Sequence, residues 1–299
     1  MTPRATRLIV GVDGTEGSVE ALRWAAHAAA RRGAPLHVMT CAELPVAVEA
    51  SLIGGAVTTG EAFDGVVAEH EAVNQRAVAL ARSIGPDIMV TGDTVLGAPA
   101  YAMVGASHDD DIIVVGATSH PGRLTEVLGS VATVVTHRAH CPVVVVHGTD
   151  RKDASVGRIA VGVDGSECGD QALMWAIEEA TLCGAELLLV HGWTYPYQGP
   201  RTGITESRED MKLDAMRTLE ACAHKVRSVA PALRCHSIIS EDSPAKAIID
   251  AGKEADLLVV GCRGHGGFAA LLLGSVSRTV LQHASVPVVV VRHQSAERR

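Results

Sequence analysis

The chain has 299 residues, a formal net charge of −8 and 47% hydrophobic residues. A chain of this length and apolar content can bury two domain cores, which excludes an intrinsically disordered protein. An acidic chain without a basic stripe is poorly suited to neutralising phosphates, so we expect no nucleic-acid partner.

The seven cysteines and the N-terminus indicate the cellular compartment. The cysteines are scattered and include no Cys-x-x-Cys pair, which predicts neither a disulfide framework nor a structural metal site. The N-terminus runs directly into an apolar strand without the core of a signal peptide, and the longest apolar runs fall far short of the roughly 20 residues of a membrane span. These features predict a cytoplasmic protein with reduced thiols and no membrane segment.

The chain contains an internal repeat. Residues 8–14 read Leu-Ile-Val-Gly-Val-Asp-Gly, and residues 159–165, which lie 151 positions later (159 − 8), read Ile-Ala-Val-Gly-Val-Asp-Gly. Later landmarks recur 145 positions apart (274 − 129), since Gly-Ser-Val stands at both 129–131 and 274–276. The repeat predicts two homologous domains, residues 1–150 and residues 151–299, that meet in a polar stretch.

Within each repeat, short apolar runs alternate with longer segments of helical period. Runs such as 187–190 lack polar alternation, which indicates parallel strands covered on both faces. Alternation of strands and helices predicts an α/β fold of two tandem doubly wound domains, each with a five-stranded parallel sheet. In the second repeat we predict strands at 158–163, 186–191, 233–239, 257–261 and 287–292.

One long helix and two loops follow from the same pattern. Met211, Met216 and Leu219 fall at helical spacing in the second repeat and are interpreted as core residues. The segments 44–60 and 193–204 each follow a second strand, and their Gly and Pro content predicts loops over one sheet edge.

An acidic residue ends the first strand of each repeat. It is Asp13 in the first and Asp164 in the second, followed by Gly and by a helix-capping Thr15 or Ser166. Ligands of open α/β sheets bind outside the carboxyl ends of strands, where the strand order reverses. The acid either starts the helix as part of its cap or contacts a ligand, and its recurrence favours the ligand role.

The fourth strand of the second repeat leads into a glycine-rich loop. The loop begins Gly261-Cys262-Arg263-Gly264, and after nine further residues the chain reads Gly274-Ser275-Val276. Glycines after a buried strand let backbone N–H groups approach an anion closely, and the start of the next helix favours phosphate. A plain glycine turn is the alternative, but the combined spacing favours a phosphate site.

The spacing Gly-x2-Gly-x9-Gly-Ser resembles the ATP-binding pattern of the universal stress protein family, in particular its tandem-domain members from actinobacteria. With the strand-one Asp and the valine-rich last strand, the resemblance covers about residues 5–293. It implies the adenine nucleotide alpha hydrolase-like fold, ATP as the ligand and Mg²⁺ held through the phosphates. In the second domain it implies nucleotide contacts from Asp164, Gly192, Gly261, Gly264, Gly274, Ser275 and Val276.

The first domain departs from this pattern. Ser119 stands where the second glycine belongs, and a serine there costs about 1 kcal/mol or more if its φ is positive. The sequence therefore does not decide whether this domain binds a nucleotide. The corresponding residues are Asp13, Cys41, Gly116, Gly129 and Ser130, with Cys41 at the position of Gly192.

Four side chains near the predicted site have two interpretations each. His191 and His265 are interpreted as neutral and locally hydrogen-bonded, with ligand contact as the alternative. Cys262 is interpreted as a small packing residue, with a redox-sensitive thiol as the alternative. Arg263 either pairs with phosphate oxygens or is solvated.

The function that follows is that of a non-enzymatic, ATP-binding stress-response or signalling protein. A slow ATPase or nucleotidyl transferase is one alternative, but the loop has no repeated cation beside it and no evident base. A nucleotide-free scaffold is another, and AMP or cyclic AMP fits the loop argument as well as ATP. The resemblance also implies that the valine strands 143–146 and 288–291 pair at a domain or subunit contact, which makes a homodimer of the tandem chain plausible.

Overall fold

The structure is a computed structural model that describes residues 7–43, 59–117, 128–147, 156–195, 207–264 and 273–292. The chain divides into two compact units, one of residues 3–154 and one of residues 155–299 together with the first two residues.

The N-terminal unit alternates strands and helices. Its described strands pair in the order β3-β2-β1-β4-β5, and every pairing is parallel. In chain order its elements are β1 (Leu8–Gly11), α1 (Glu16–Arg32), β2 (Leu36–Ala42), α2 (Thr59–Ile84), β3 (Val90–Leu96), α3 (Pro99–Ala106), β4 (Ile112–Gly116), α4 (Ser130–Arg138) and β5 (Val143–Val146).

The C-terminal unit repeats this arrangement, with the parallel strand order β8-β7-β6-β9-β10. The order reverses between β6 and β9, so the switch point of the sheet lies between these two strands. Its elements are β6 (Arg158–Gly162), α5 (Glu167–Cys183), β7 (Glu186–Gly192), α6 (Arg208–Val229), β8 (Cys235–Ser240), α7 (Pro244–Ala251), β9 (Leu257–Gly261), α8 (Ser275–His283) and β10 (Val288–Val291).

The two units share their strand register. Val10 of β1 pairs with Val38 and Val114, and Val161 of β6 pairs with Leu189 and Val259 at the repeated positions. The sequence repeat is therefore a structural repeat, and the predicted fold class of tandem α/β domains is confirmed.

Local sequence explains where the first helix of each unit begins and ends. The side chains of Thr15 and Ser166 accept the amide hydrogen of the residue three positions later, as helix N-caps do. Gly33 and Gly184 end the helices with φ of 60° and 66°, a left-handed conformation that other residues adopt only at a cost.

The helices lie on both faces of each sheet. In the N-terminal unit α1 packs beside α2, while α3 packs beside α4 on the opposite face. Strands such as β1, β4, β6 and β9 are buried between these layers, and so are all four valines of β5 and of β10. This burial explains why aliphatic runs without polar alternation form these strands, whereas β3 and β8 are largely exposed and carry polar residues.

The long helix α6 buries a narrower stripe than predicted. Leu219 and Val226 are buried, but Met216 is 50% exposed and Met211 is half-buried, so the assignment of Met216 to the core is wrong. The buried stripe also includes Ala215 and Cys222, so its residues follow one another at intervals of four and three positions. Met216 comes one residue after Ala215 and therefore lies about 100° away from the stripe around the helix axis. The predicted loops 44–60 and 193–204 lie mostly outside the described residues.

Candidate functional site

A cavity of about 370 Å³ opens at the carboxyl ends of β6, β7 and β9 in the C-terminal unit. This volume falls within the range of small-molecule sites, and the cavity lies at the switch point where α/β sheets bind ligands. It is lined by all seven residues predicted for the second domain, namely Asp164, Gly192, Gly261, Gly264, Gly274, Ser275 and Val276.

Asp164 connects the start of α5 to the glycine-rich loop. Its Oδ1 accepts hydrogen bonds from the Ser166 backbone N at 3.0 Å and from Ser166 Oγ at 2.6 Å. Its Oδ2 faces Gly264. The acid therefore orders the start of the helix and borders the cavity at the same time, so the two interpretations of this residue are compatible.

Gly264 lies close to the Asp164 carboxylate. A Cβ at this position would clash with Asp164 Oδ2. Among the described glycines, those with positive φ are Gly14, Gly33, Gly97, Gly165 and Gly184, so φ does not impose a glycine at 264. Any larger residue there must displace the loop or the carboxylate.

The backbone of Cys262 fixes the start of α8. Its carbonyl oxygen accepts the Gly274 N–H at 2.7 Å and the Ser277 hydroxyl at 3.2 Å. The Gly274 amide is therefore already used inside the protein. Gly274 provides no side-chain cap, and the first helical residues, Ser275 and Val276, border the cavity with the amides that a helix N-terminus leaves unpaired.

Gly192 lets α7 lie against the end of β7. A Cβ there would be 2.7 Å from Pro244 Cα and 3.0 Å from Ala247 Cβ. Next to it, His191 Nδ1 lies 2.6 Å from the Val163 carbonyl oxygen, to which it donates a hydrogen bond because a carbonyl can only accept. His191 is thus locally hydrogen-bonded, whereas His265 lies outside the described residues.

Two arginines, Arg263 and Arg278, also line the cavity. Arg263 belongs to the predicted loop, but sequence reasoning missed Arg278 in the second turn of α8. The signal for it was the spacing of four residues from Gly274, which places Arg278 on the same side of the helix as the predicted site. Together the arginines supply positive charge beside the start of α8.

The corresponding cavity of the N-terminal unit is smaller, about 80 Å³. Asp13, Cys41 and Gly116 line it, and so does Val131, but Gly129 and Ser130 are not among its described lining residues. Cys41 introduces a side chain where the second unit has Gly192, which reduces the space. The predicted departure at Ser119 lies outside the described residues.

Two groups at this smaller cavity have perturbed pKa values. Burial, and then the charge of Glu43, raise the pKa of the Cys41 thiol to about 11. Burial acts to raise the pKa of Asp13, but hydrogen bonds from Thr15 and Ser18 outweigh it and leave the pKa of Asp13 lowered. At neutral pH the cavity therefore presents a carboxylate and an un-ionised thiol.

Comparison with known proteins identifies the family. The model of the universal stress protein family matches residues 5–147 and again residues 155–292. The chain belongs to the universal stress protein family. A universal stress protein of Mycobacterium tuberculosis is 32% identical to it over 294 residues, which cover 95% of this chain and 96% of the relative.

Further relatives agree with this assignment. A universal stress protein of Mycolicibacterium smegmatis is 33% identical over 289 residues, which cover 95% of this chain and 96% of the relative. The crystal structure of a universal stress protein from Archaeoglobus fulgidus matches with a TM-score of 0.71 at 21% identity and covers 97% of both chains. This last similarity shows that the two chains share a fold.

In this universal stress protein, the described part of the chain contains no group of three or more His, Cys, Asp or Glu side chains that could hold a metal ion. None of its helices, within the same residues, is long and apolar enough to cross a membrane. None of the seven cysteines, which are all described, forms a disulfide.

Proposed function

We propose that this universal stress protein binds ATP in its second domain and acts as a nucleotide-dependent stress-response or signalling protein without catalysing a reaction. The observation that carries the proposal is the 370 Å³ cavity, which unites all seven motif residues at the switch point of the sheet. The cavity of the first domain is about 80 Å³, which supports the second domain as the principal site.

The residues of this cavity fit a nucleotide. Asp164 and Gly192, at the ends of β6 and β7, would hold the nucleoside, and the amides of Ser275 and Val276 would face the phosphates. Arg263 would add positive charge there. When bound, Mg²⁺ would neutralise phosphate charge. The described residues offer no cluster that could hold a metal ion, so the ion would bind through the phosphates.

The nature of the lining supports a binding role over catalysis. Among the described lining residues the single carboxylate is Asp164, and Ser166 already donates two hydrogen bonds to it. Phosphoryl transfer needs a group that positions the nucleophile as well as cationic stabilisation of the transferred phosphate. The arginines meet the second requirement, while the first has no candidate in the described lining, so a slow ATPase is the second choice.

Native mass spectrometry of the purified chain tests this proposal. We expect the mass of one ATP on the wild-type protein, with weaker retention of AMP and cyclic AMP because the arginines favour a longer phosphate tail. No adduct at millimolar ATP with Mg²⁺ would eliminate nucleotide binding and leave a nucleotide-free scaffold. ATP turnover that survives repurification and is lost in Asp164→Asn would replace the binding role with catalysis.

Two further parts of the proposal concern the cellular form of the protein. We propose a cytoplasmic homodimer of the tandem chain. The seven cysteines form no disulfides in the structure, which supports a reducing compartment, and the resemblance to the family implies a subunit contact. Sedimentation velocity at several concentrations with and without ATP tests the dimer. A monomer at all concentrations would contradict it. Subcellular fractionation tests the compartment.

A further inference from the structure

The second domain contains a pair of thiols directly behind the cavity. Cys168 lies in the first turn of α5, and Cys262 follows the last residue of β9. Their sulfur atoms are 3.4 Å apart, and the two residues are only 8% and 2% exposed. The first domain has Gly17 and Ala117 at the corresponding positions, so the thiol pair accompanies the larger cavity.

We propose that Cys168 and Cys262 form a reversible disulfide under peroxide, and that this bond disrupts the ligand cavity of the second domain. The formation of the bond is independent of the proposed function, whereas its effect on ATP rests on that function.

The geometry needs only a small movement. A disulfide has an S–S distance of about 2.05 Å, so the sulfur atoms must approach each other by about 1.4 Å. The backbones already touch here, since a Cβ on Gly261 would be 2.7 Å from the Cys168 carbonyl oxygen. The sulfur atoms can approach each other by rotation of the two side chains, by a shift of the Cys262 segment, or by both.

A shift of Cys262 would reach the phosphate side of the cavity. Its carbonyl oxygen holds the Gly274 amide at 2.7 Å and the Ser277 hydroxyl at 3.2 Å, and both residues belong to the start of α8. Gly261 and Gly169, the chain neighbours of the two cysteines, line the cavity themselves. The thiol pair is thus connected through the backbone to the residues that would surround a nucleotide.

The chemistry balances with hydrogen peroxide as the oxidant. One thiol attacks the peroxide oxygen and becomes a sulfenic acid while one water leaves, and the second thiol then displaces hydroxide from that sulfur as a second water. Two thiols lose two electrons and two protons, and one peroxide becomes two waters. A thiol reductant restores the pair.

The surroundings make this reaction slow in the resting protein. The hydrogen bond with Cys262, and then burial, raise the pKa of the Cys168 thiol, so little reactive thiolate exists at neutral pH. We place the route of a small oxidant through the cavity, whose lining includes Gly169 and Gly261 but neither thiol. Bound ATP blocks this route and so slows the oxidation. ATP also shifts the equilibrium, because a disulfide that weakens ATP binding is by thermodynamic linkage less stable when ATP is bound.

The test exposes the full-length protein to hydrogen peroxide and then maps its peptides without reduction. We expect a linkage between the peptides of Cys168 and Cys262 that a thiol reductant removes and that ATP slows. Hydrogen exchange supplies a readout that needs no nucleotide, and the Gly274 amide should exchange faster in the oxidised protein. The ATP dissociation constant should rise about tenfold or more on oxidation.

Two variants serve as matched controls. Cys262→Ala introduces the residue that the first domain carries at this position, and Cys168→Ala removes the other thiol. Both should keep reduced-state ATP affinity and lose its sensitivity to peroxide. The proposal is overturned if no linkage forms while more exposed cysteines oxidise, or if the linkage forms without changing exchange at Gly274. A reduced protein that binds no ATP refutes the proposed function instead, because linkage and exchange remain measurable.

Discussion

Gly264→Ala is the change that tests the described site most sharply. The added Cβ would clash with Asp164 Oδ2, a carboxylate whose other oxygen is held by two hydrogen bonds from Ser166. Rotating the carboxylate away breaks those hydrogen bonds, each of which stabilises the fold by about 1.5–3 kcal/mol when the acceptor is charged. Displacing the loop instead costs about 1–3 kcal/mol, as overpacking does.

Because ATP binding needs the wild-type arrangement of the loop and the Asp164 carboxylate, the less costly of these routes sets the upper limit of the loss in ATP affinity. A cost of about 1–3 kcal/mol corresponds to a dissociation constant that is about 5-fold to 150-fold weaker. Titration calorimetry of ATP with Mg²⁺ measures it. Gly157→Ala is the matched control in the same unit, because the nearest atom to its Cβ is Asp256 Oδ2 at an ordinary 3.5 Å. Affinity of Gly264→Ala within twofold of the wild type would refute the reasoning.

Two other substitutions and one pH series give independent outcomes. Arg278→Gln should lower ATP affinity about threefold to tenfold and make that affinity less dependent on salt, because the substitution removes a charge-assisted contact at the cavity rim. An unchanged salt dependence of the affinity in calorimetry would contradict this prediction. Gly192→Cys should lower the free energy of unfolding by about 1–3 kcal/mol, because the new Cβ would be 2.7 Å from Pro244 Cα. An unaltered denaturation midpoint would contradict this packing argument. Because the pKa of Cys41 is about 11, its labelling rate, followed by peptide mass spectrometry, should rise about tenfold per pH unit from pH 7 to 10. A rate that begins to level off near pH 9 would show an ordinary thiol.

The strands and the repeat could be predicted because their signals are local. Uninterrupted aliphatic runs such as 187–190 are typical of parallel strands that are covered by helices on both faces. The same holds for the capped helices that follow Asp13 and Asp164. Met216 could not be placed as easily, because a helix of polar and apolar residues has several apolar stripes and only its tertiary contacts select one.

The residues that line the cavity were predictable as a set, but their geometry was not. The glycine spacing identified Gly264, whereas the reason for a glycine there, the Asp164 carboxylate, depends on two segments 100 positions apart (264 − 164). Two further contacts also form only in the folded chain. The Gly274 amide donates a hydrogen bond to the Cys262 carbonyl oxygen, and the Cys168 sulfur lies beside the Cys262 sulfur. None of these contacts leaves a pattern in a single sequence.

Backbone amide chemical shifts during an ATP titration test the central claim most directly. The claim is that phosphates lie against the first turn of α8, so the amide signals of Ser275 and Val276 should move together and saturate at one ATP per chain. Ser130 and Val131, their counterparts in the first domain, should move far less. Stationary signals at Ser275 and Val276 under saturating ATP and Mg²⁺, or larger shifts at Ser130 and Val131, would contradict the account.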